Sequence, residues 1–153
     1  MNKHRSFIVG IKSTKLSSKE ISFLKKFKPW GVILFTRNIK DIEQTFKLTS
    51  SIRKIFNDEK YPILIDQEGG RVNRLRNIVS FDNLTSDFFG KIYDKDLRKF
   101  KLYYKLFIDK TSYLLKLIGV NINTSPVLDL RIKGASNIIG DRSFSKNPKI
   151  VSK

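Results

Sequence analysis

The residues best suited to chemistry in this chain follow directly after a short apolar run. That run, Pro62–Ile65, is typical of a buried parallel strand that ends at the mouth of a site. The stretch after it carries carboxylates, glycines and arginines: Asp66, Glu68, Gly69, Gly70, Arg71 and Arg74. A carboxylate at a strand end can accept hydrogen bonds from neighbouring hydroxyls, and arginine offers planar forks for hydroxyls, carbonyls or carboxylates. The motif is therefore compatible with sugar binding, but taken alone it favours a plain turn that Asp66 caps and in which the arginines neutralise the acids.

Apolar patterning places these residues within alternating strands and helices. Short apolar runs predict four strands, at residues 7–11, 31–35, 62–65 and 120–123. Ser17 and Glu20 have the spacing of a capping box, so a first helix is predicted to begin there and to end before Pro29. Asp41 is placed to cap a second helix.

Helical spacing predicts which faces these helices bury. For the first helix the predicted face is Ile21, Leu24 and Phe27, and for the second it is Ile42, Phe46, Thr49, Ile52 and Phe56. Residues 77–93 are predicted as a long loop with short helical pieces. A long amphipathic helix is predicted from Leu97 to Ile118, with Gly119 as its end.

The alternation of strands and helices predicts an α/β fold with a parallel sheet. A Rossmann arrangement lacks its glycine fingerprint here, whereas polar residues follow several strands, as in a TIM-type (β/α)8 barrel: Arg37, Asn38, Asp66 and Asp129. A whole barrel takes about 250 residues, and this chain has 153. Asn147 and Pro148 are typical of a helix start. We therefore expect the N-terminal half of a TIM-type barrel, about four βα units, as one partial domain over residues 1–153, truncated at the start of its fourth helix.

Composition narrows the classes of partner. The formal net charge of +17 raises the hypothesis of nucleic-acid binding, but the basic residues are mostly lysines spread along the chain, which favours solvated helix faces. No apolar run is long enough for a membrane span. Without cysteine there is neither a disulfide framework nor a thiolate metal site, and we expect a cytoplasmic protein.

Four segments match the motifs of one family in order and spacing, across nearly the whole chain: residues 31–39, 66–75, 123–129 and 139–144. Together they resemble glycoside hydrolase family 3, specifically the bacterial β-N-acetylglucosaminidases of peptidoglycan recycling. The resemblance implies a single TIM-like barrel without metal or organic cofactor. It also implies hydrolysis of a terminal β-linked N-acetylglucosamine from muropeptides or chitooligosaccharides.

The resemblance also assigns roles to residues of this sequence. Asp66 corresponds to the aspartate that holds hydroxyls of the terminal sugar, and Arg74 and Arg142 match arginines that contact the same sugar. Glu68 and the two glycines after it match the turn that shapes the site, with no catalytic role. Asp129 matches a family position whose part could equally be structural.

The same resemblance implies that no catalytic residue lies in this chain. Family members cleave with retention, through an aspartate nucleophile and a histidine acid/base paired with another aspartate, and they carry a Lys-His pair that touches the sugar. All of these groups lie downstream of the motifs found here. The one histidine, His4, is expected to be a solvent-exposed terminal residue. The 153-residue chain is therefore predicted to supply sugar-binding residues and to be inactive alone.

Two other functions stay open at this point: a non-catalytic carbohydrate-binding or interaction module, and a basic nucleic-acid binder. A half-barrel would expose unpaired edges at its first and fourth strands, so a complementary C-terminal half or self-association is expected. A split gene, a decaying gene remnant and an incomplete sequence would each be compatible with such a chain.

Overall fold

The computed structural model describes residues 5–134 and 136–152. Its strands and α-helices are β1 (Arg5–Gly10), α1 (Ser18–Phe27), β2 (Pro29–Leu34), α2 (Ile42–Phe56), β3 (Ile63–Ile65), α3 (Ser86–Lys95), α4 (Leu97–Leu117), β4 (Ile122–Asn123) and α5 (Pro148–Val151). Single 3₁₀ turns lie at Thr36–Asn38 and Gly140–Arg142. The predicted alternation is confirmed, with two helices between β3 and β4. His4 lies outside the described residues.

The first of two compact units holds the whole described sheet. This unit comprises the chain up to Asp66 and Tyr113–Thr124. Its strands are parallel and follow one another in chain order, β1-β2-β3-β4. Doubly wound sheets reverse their strand order at a switch point, whereas barrel strands follow consecutively. The order is therefore that of a barrel, and β1 and β4 form the two edges of the described sheet.

The core of the first unit joins α2 to the strands through aromatic packing. Phe56, at the end of α2, stacks on Tyr61 with ring centroids 3.9 Å apart. The Tyr61 side chain is fully buried, and its hydroxyl donates a hydrogen bond to the Pro29 carbonyl at 2.8 Å. This partner satisfies the polar end of a buried ring, and burial raises the pKa of Tyr61.

The buried face of α2 is rotated from the predicted one. Thr49, Ile52 and Phe56 are buried as predicted, but Phe46 is 51% exposed and Ile42 is 37% exposed. Thr45 and Leu48 are buried instead. Both sets of positions have helical spacing, so the period of the pattern could not distinguish the two faces.

Helix ends follow the predicted signals. The Ser17 hydroxyl accepts a hydrogen bond from the Glu20 amide, and the Glu20 carboxylate accepts one from the Ser17 amide, which confirms the capping box of α1. Asp41 caps α2 through the Gln44 amide. Gly119, with a φ of +74°, follows the end of α4, where a left-handed residue is expected.

The second unit comprises Gln67–Ser112 and Ser125–Lys153. It contains α3, a ten-residue helix at Ser86–Lys95 that is capped by Thr85, where the sequence predicted a long loop with short helical pieces over residues 77–93. Aromatic side chains fill this unit: Phe89 and Phe81 each lie 5.2 Å from Phe107, measured between ring centroids. The predicted helix start at Asn147 is confirmed by α5. Among the described residues, no helix is both long and apolar enough to cross a membrane.

Candidate functional site

Asp66 lies directly after β3 in the first unit, at the carboxyl end of the sheet. In the β3–β4 register Ile65 lies opposite Asn123, so Asp66 and Thr124 are the next residues on neighbouring parallel strands. The Thr124 hydroxyl donates a hydrogen bond to Asp66 Oδ1. The half-buried Asp66 carboxylate therefore lies at the strand end, where the sequence predicted it, and β4 constrains its orientation.

Thr124 is a residue to which the sequence reasoning gave no role. Two signals point to it: it lies in the matched segment 123–129, and it follows its strand by one residue, as Asp66 does. Successive residues at the ends of paired parallel strands lie side by side. A hydroxyl at this position is therefore placed to orient the neighbouring carboxylate.

The polar residues after β2 have a structural part. Asn38 is fully buried, and its side-chain amide donates hydrogen bonds to the carbonyls of Ile11 at 3.1 Å and Ser13 at 3.0 Å. Arg37 Nε also donates to the Ile11 carbonyl, at 3.0 Å. These side chains fix the loop after β1, because buried carbonyl groups need hydrogen-bond donors.

The turn after Asp66 belongs to the second unit and is closed by backbone hydrogen bonds. The Glu68 amide donates to the Val72 carbonyl at 3.1 Å, and the Gly70 amide donates to the Phe81 carbonyl at 2.9 Å. Gly69 and Gly70 have φ values of +88° and +56°. A Cβ on Gly69 would lie 2.3 Å from the Leu84 carbonyl oxygen. The first glycine is therefore required by close packing against the chain as well as by its left-handed conformation.

Glu68 and Arg142 form a bidentate ion pair in the second unit. Arg142 Nε lies 2.8 Å from Glu68 Oε2, and Arg142 Nη2 lies 2.7 Å from Glu68 Oε1. The Glu68 side chain is 7% exposed and that of Arg142 is 23% exposed. Two parallel N–H···O bonds fix both the position and the plane of a guanidinium group. The predicted site residue Arg142 is thus oriented by a glutamate to which the sequence gave no partner.

Arg71 holds the segment that precedes Arg142. Its Nη2 lies within 2.9 Å of three successive backbone carbonyls, those of Asn137, Ile138 and Ile139. Its Nε pairs with Asp141 at 3.0 Å. The structure therefore uses the Arg71 fork for carbonyls and a carboxylate of the protein itself.

Arg74 and Asp129, the other matched residues, also lie in the second unit. Arg74 is half-buried within a turn, next to Leu75, whose amide donates to the buried Gln67 side chain at 3.0 Å. Asp129 is exposed, and its backbone carbonyl accepts a hydrogen bond from the Ser143 hydroxyl at 2.7 Å. This contact supports the structural alternative for Asp129.

The described side chains of the motif supply hydrogen-bonding and ionic groups. Over residues 5–134 and 136–152, no group of three or more His, Cys, Asp or Glu side chains could hold a metal ion. Carboxylates and guanidinium groups of this kind bind and orient polar, hydroxyl-rich ligands.

Comparison with known protein families gives one match over nearly the whole chain. Residues 6–153 match the family model described as the glycosyl hydrolase family 3 N terminal domain. A β-hexosaminidase of Alkalilimnicola ehrlichii is 38% identical over 148 residues, which cover 94% of this chain and 40% of the relative. A β-hexosaminidase of Thioalkalivibrio sulfidiphilus is 32% identical, over 95% of this chain and 41% of its own length. The chain thus spans about two fifths of these relatives.

Solved structures of related proteins share the fold. NagZ from Neisseria gonorrhoeae, in complex with N-trifluoroacetyl-D-glucosamine, has a TM-score of 0.83 at 29% identity, over 97% of this chain and 44% of that one. A family 3 β-N-acetylglucosaminidase from Paenibacillus has a TM-score of 0.80 at 26% identity, over 95% of this chain and 27% of that one. These similarities confirm the predicted fold class, an α/β fold with the parallel sheet of a TIM-type barrel.

Proposed function

This chain belongs to glycosyl hydrolase family 3, and on that basis we propose that it supplies sugar-binding residues to a β-N-acetylhexosaminidase. The observation that carries the proposal is Asp66, held by Thr124 at the carboxyl end of two adjacent parallel strands. Ligands of barrel enzymes bind at that end of the strands. Asp66 would accept hydrogen bonds from hydroxyls of the terminal sugar, while Arg74 and Arg142 would donate to the same sugar.

The substrate class is a β-linked N-acetylglucosamine at a non-reducing end. Relatives named β-hexosaminidase and a NagZ structure that holds an N-acylated glucosamine support this class. Within this class we propose muropeptide fragments of peptidoglycan as substrates, cleaved with retention of configuration. For a chain without cysteine we also propose a cytoplasmic location. A retaining cleavage needs a nucleophile about 5–5.5 Å from an acid/base group across the scissile bond. In this proposal both groups come from further βα units.

Those further units would complete the sheet. The two edges of the described sheet, β1 and β4, are where additional parallel strands of a barrel would pair. The units could belong to the same polypeptide or to a complementary second chain. Asp66 remains a binding residue in either arrangement.

The proposal is tested by titrating the 153-residue chain with N-acetylglucosamine and following its amide signals by NMR. We expect weak binding, because part of a pocket is poorly preorganised. Asp66→Asn should lower the affinity about tenfold or more, since it removes charge-assisted hydrogen bonds. Asp94→Asn changes an exposed aspartate on α3 and should leave the affinity unchanged. Absence of binding, or equal affinities for both variants, would overturn the sugar-binding role.

A hydrolysis assay of the 153-residue chain tests whether the catalytic groups lie outside it. With a chromogenic N-acetylglucosaminide, the chain alone should show no turnover, because loss of a nucleophile or acid/base lowers rates by several orders of magnitude. Turnover that Asp66→Asn abolishes would contradict the assignment of a purely binding role to Asp66. If the chain is instead a non-catalytic binding module, the affinities for N-acetylglucosamine should be the same. Adding the remaining βα units should then give no hydrolysis.

A further inference from the structure

Two arginines tie the turn after β3 to the segment 136–142, which we call the 136–142 loop. Arg71 extends from the turn to the loop, where it binds three carbonyls and Asp141. Arg142, at the end of the loop, extends back to Glu68 in the turn. The contacts run in opposite directions, so the loop is held to the turn along its last six residues, 137–142.

The Glu68–Arg142 contact is the more protected of the two. The Glu68 side chain is 7% exposed, whereas the side chains of Arg71 and Asp141 are 47% and 43% exposed. Ion pairs screened by water contribute little, while a bidentate pair away from water holds its geometry firmly. The orientation of Arg142 is therefore determined mainly by Glu68.

The two oxygens of Glu68 are also committed to this contact. Each accepts one N–H of Arg142, at 2.7 and 2.8 Å, and the side chain has little surface left for a ligand. The remaining terminal nitrogen, Nη1, lies 3.4 Å from the Ile138 carbonyl, a long and weak contact. Glu68 thus holds the edge of the guanidinium group formed by Nε and Nη2.

We infer that Glu68 is a positioning residue for sugar binding: it fixes the plane of the Arg142 guanidinium group for contact with the ligand, and it does not touch the sugar itself. This inference rests on the proposed function, in which Arg142 contacts a terminal N-acetylglucosamine. It assigns to Glu68 a part beyond that of shaping a turn. We therefore expect Glu68 to affect the affinity for the sugar only when Arg142 is present.

A double-mutant cycle on the 153-residue chain tests this dependence. N-acetylglucosamine affinity is measured by NMR titration for the unsubstituted chain, Glu68→Gln, Arg142→Ala and the double variant. Glu68→Gln should weaken binding about tenfold in the unsubstituted background, as loss of an orienting partner does elsewhere, and less than about twofold when Arg142 is absent. Additive losses would show that Glu68 acts independently of Arg142 and would overturn the inference, as would an unchanged affinity of Glu68→Gln.

A measurement without ligand separates this inference from the proposed function. In the unsubstituted chain the Arg142 Nε–H should give a sharp NMR signal that exchanges slowly with water, because it donates to a protected carboxylate. Glu68→Gln should speed this exchange, while Glu43→Gln, in an exposed pair with Lys47, should not. If the unsubstituted chain does not bind the sugar but the Arg142 signal behaves as expected, the proposed function falls and the anchoring by Glu68 stands. A slow Arg142 signal that persists in Glu68→Gln would refute the anchoring.

Discussion

At position 69, a Cβ would lie 2.3 Å from the Leu84 carbonyl oxygen, on a backbone with a φ of +88°. The sequence matched Gly69 to the turn that shapes the site. The contacts give this glycine a packing role, because the obstacle to a side chain there is the protein backbone itself. Gly134 has a similar φ of +83°, but apart from its chain neighbours no heavy atom of the described residues lies within 4 Å of its Cβ position. Comparing Gly69 with Gly134 therefore separates the cost of a side chain at positive φ from the cost of a steric clash.

We predict that Gly69→Ala lowers the free energy of unfolding by about 1–3 kcal/mol more than Gly134→Ala does. Both substitutions place a side chain at positive φ, which costs on the order of 1 kcal/mol. Only Gly69→Ala also forces a backbone carbonyl to move, and overpacking adds about 1–3 kcal/mol. Urea unfolding of both variants measures the difference. Equal losses of unfolding free energy would show that the backbone around Leu84 can move at little cost.

Among the elements, α1 shows how local sequence sets a helix start. The Glu20 carboxylate accepts hydrogen bonds from the amides of Lys12 and Ser17, each at 2.8 Å. Partial burial opposes ionisation, but the hydrogen bonds from Ser17 and Lys12 outweigh it and hold the pKa of Glu20 below its ordinary value of 4.5. A carboxylate near a helix N-terminus is also favoured by the helix dipole.

This lowered pKa predicts a pH dependence. Glu20 stabilises the fold fully above pH 4.5, and its contribution is lost as the pH falls through the lowered pKa of the folded chain. Glu20→Gln should lower stability by about 0.3–1 kcal/mol at pH 7, and the difference should shrink at acid pH. Urea unfolding of both proteins at pH 7 and pH 3 provides the comparison. A constant difference at the two pH values would exclude a role for the Glu20 charge.

For the whole molecule, we expect the two edges of the described sheet to influence self-association more than the net charge does. β1 carries Ile8, which is 44% exposed at one edge of the described sheet. Unpaired strand edges are templates for pairing with another chain, and a lysine on the edge opposes such pairing. The charge of +17 disfavours close approach of copies at low salt, so edge pairing should strengthen as salt screens it.

We therefore predict self-association of the isolated chain that increases with concentration and salt, and that Ile8→Lys suppresses. Phe23→Lys is the matched control, because Phe23 is 41% exposed but lies on α1 instead of a strand edge. Sedimentation velocity at two salt concentrations measures the effect. If both variants suppress association equally, charge and lost apolar surface explain it and the edge does not.

The sequence predicted the elements well where the signal is local. The capping residues Ser17, Glu20 and Asp41, the stop at Gly119 and the start at Asn147 are all confirmed, because each cap involves residues within a few positions of one another. The buried face of α2 was predicted wrongly, and in place of the short helical pieces predicted over residues 77–93 there is one ten-residue helix, α3. Those features depend on what packs against a helix, and periodicity does not contain that information.

By itself, the sequence determined the family, the α/β class, and the position of Asp66 at a strand end, because motifs and apolar runs are properties of contiguous residues. Its roles for Asp66, Arg74 and Arg142 stay predictions. Only the tertiary structure decided that Thr124 holds Asp66, that Glu68 orients Arg142, and that Arg71 binds backbone carbonyls of the 136–142 loop. Those partners lie 58, 74 and 67 positions apart in the chain. Hydrogen bonds between such distant residues depend on strand register and loop placement, which folding alone establishes.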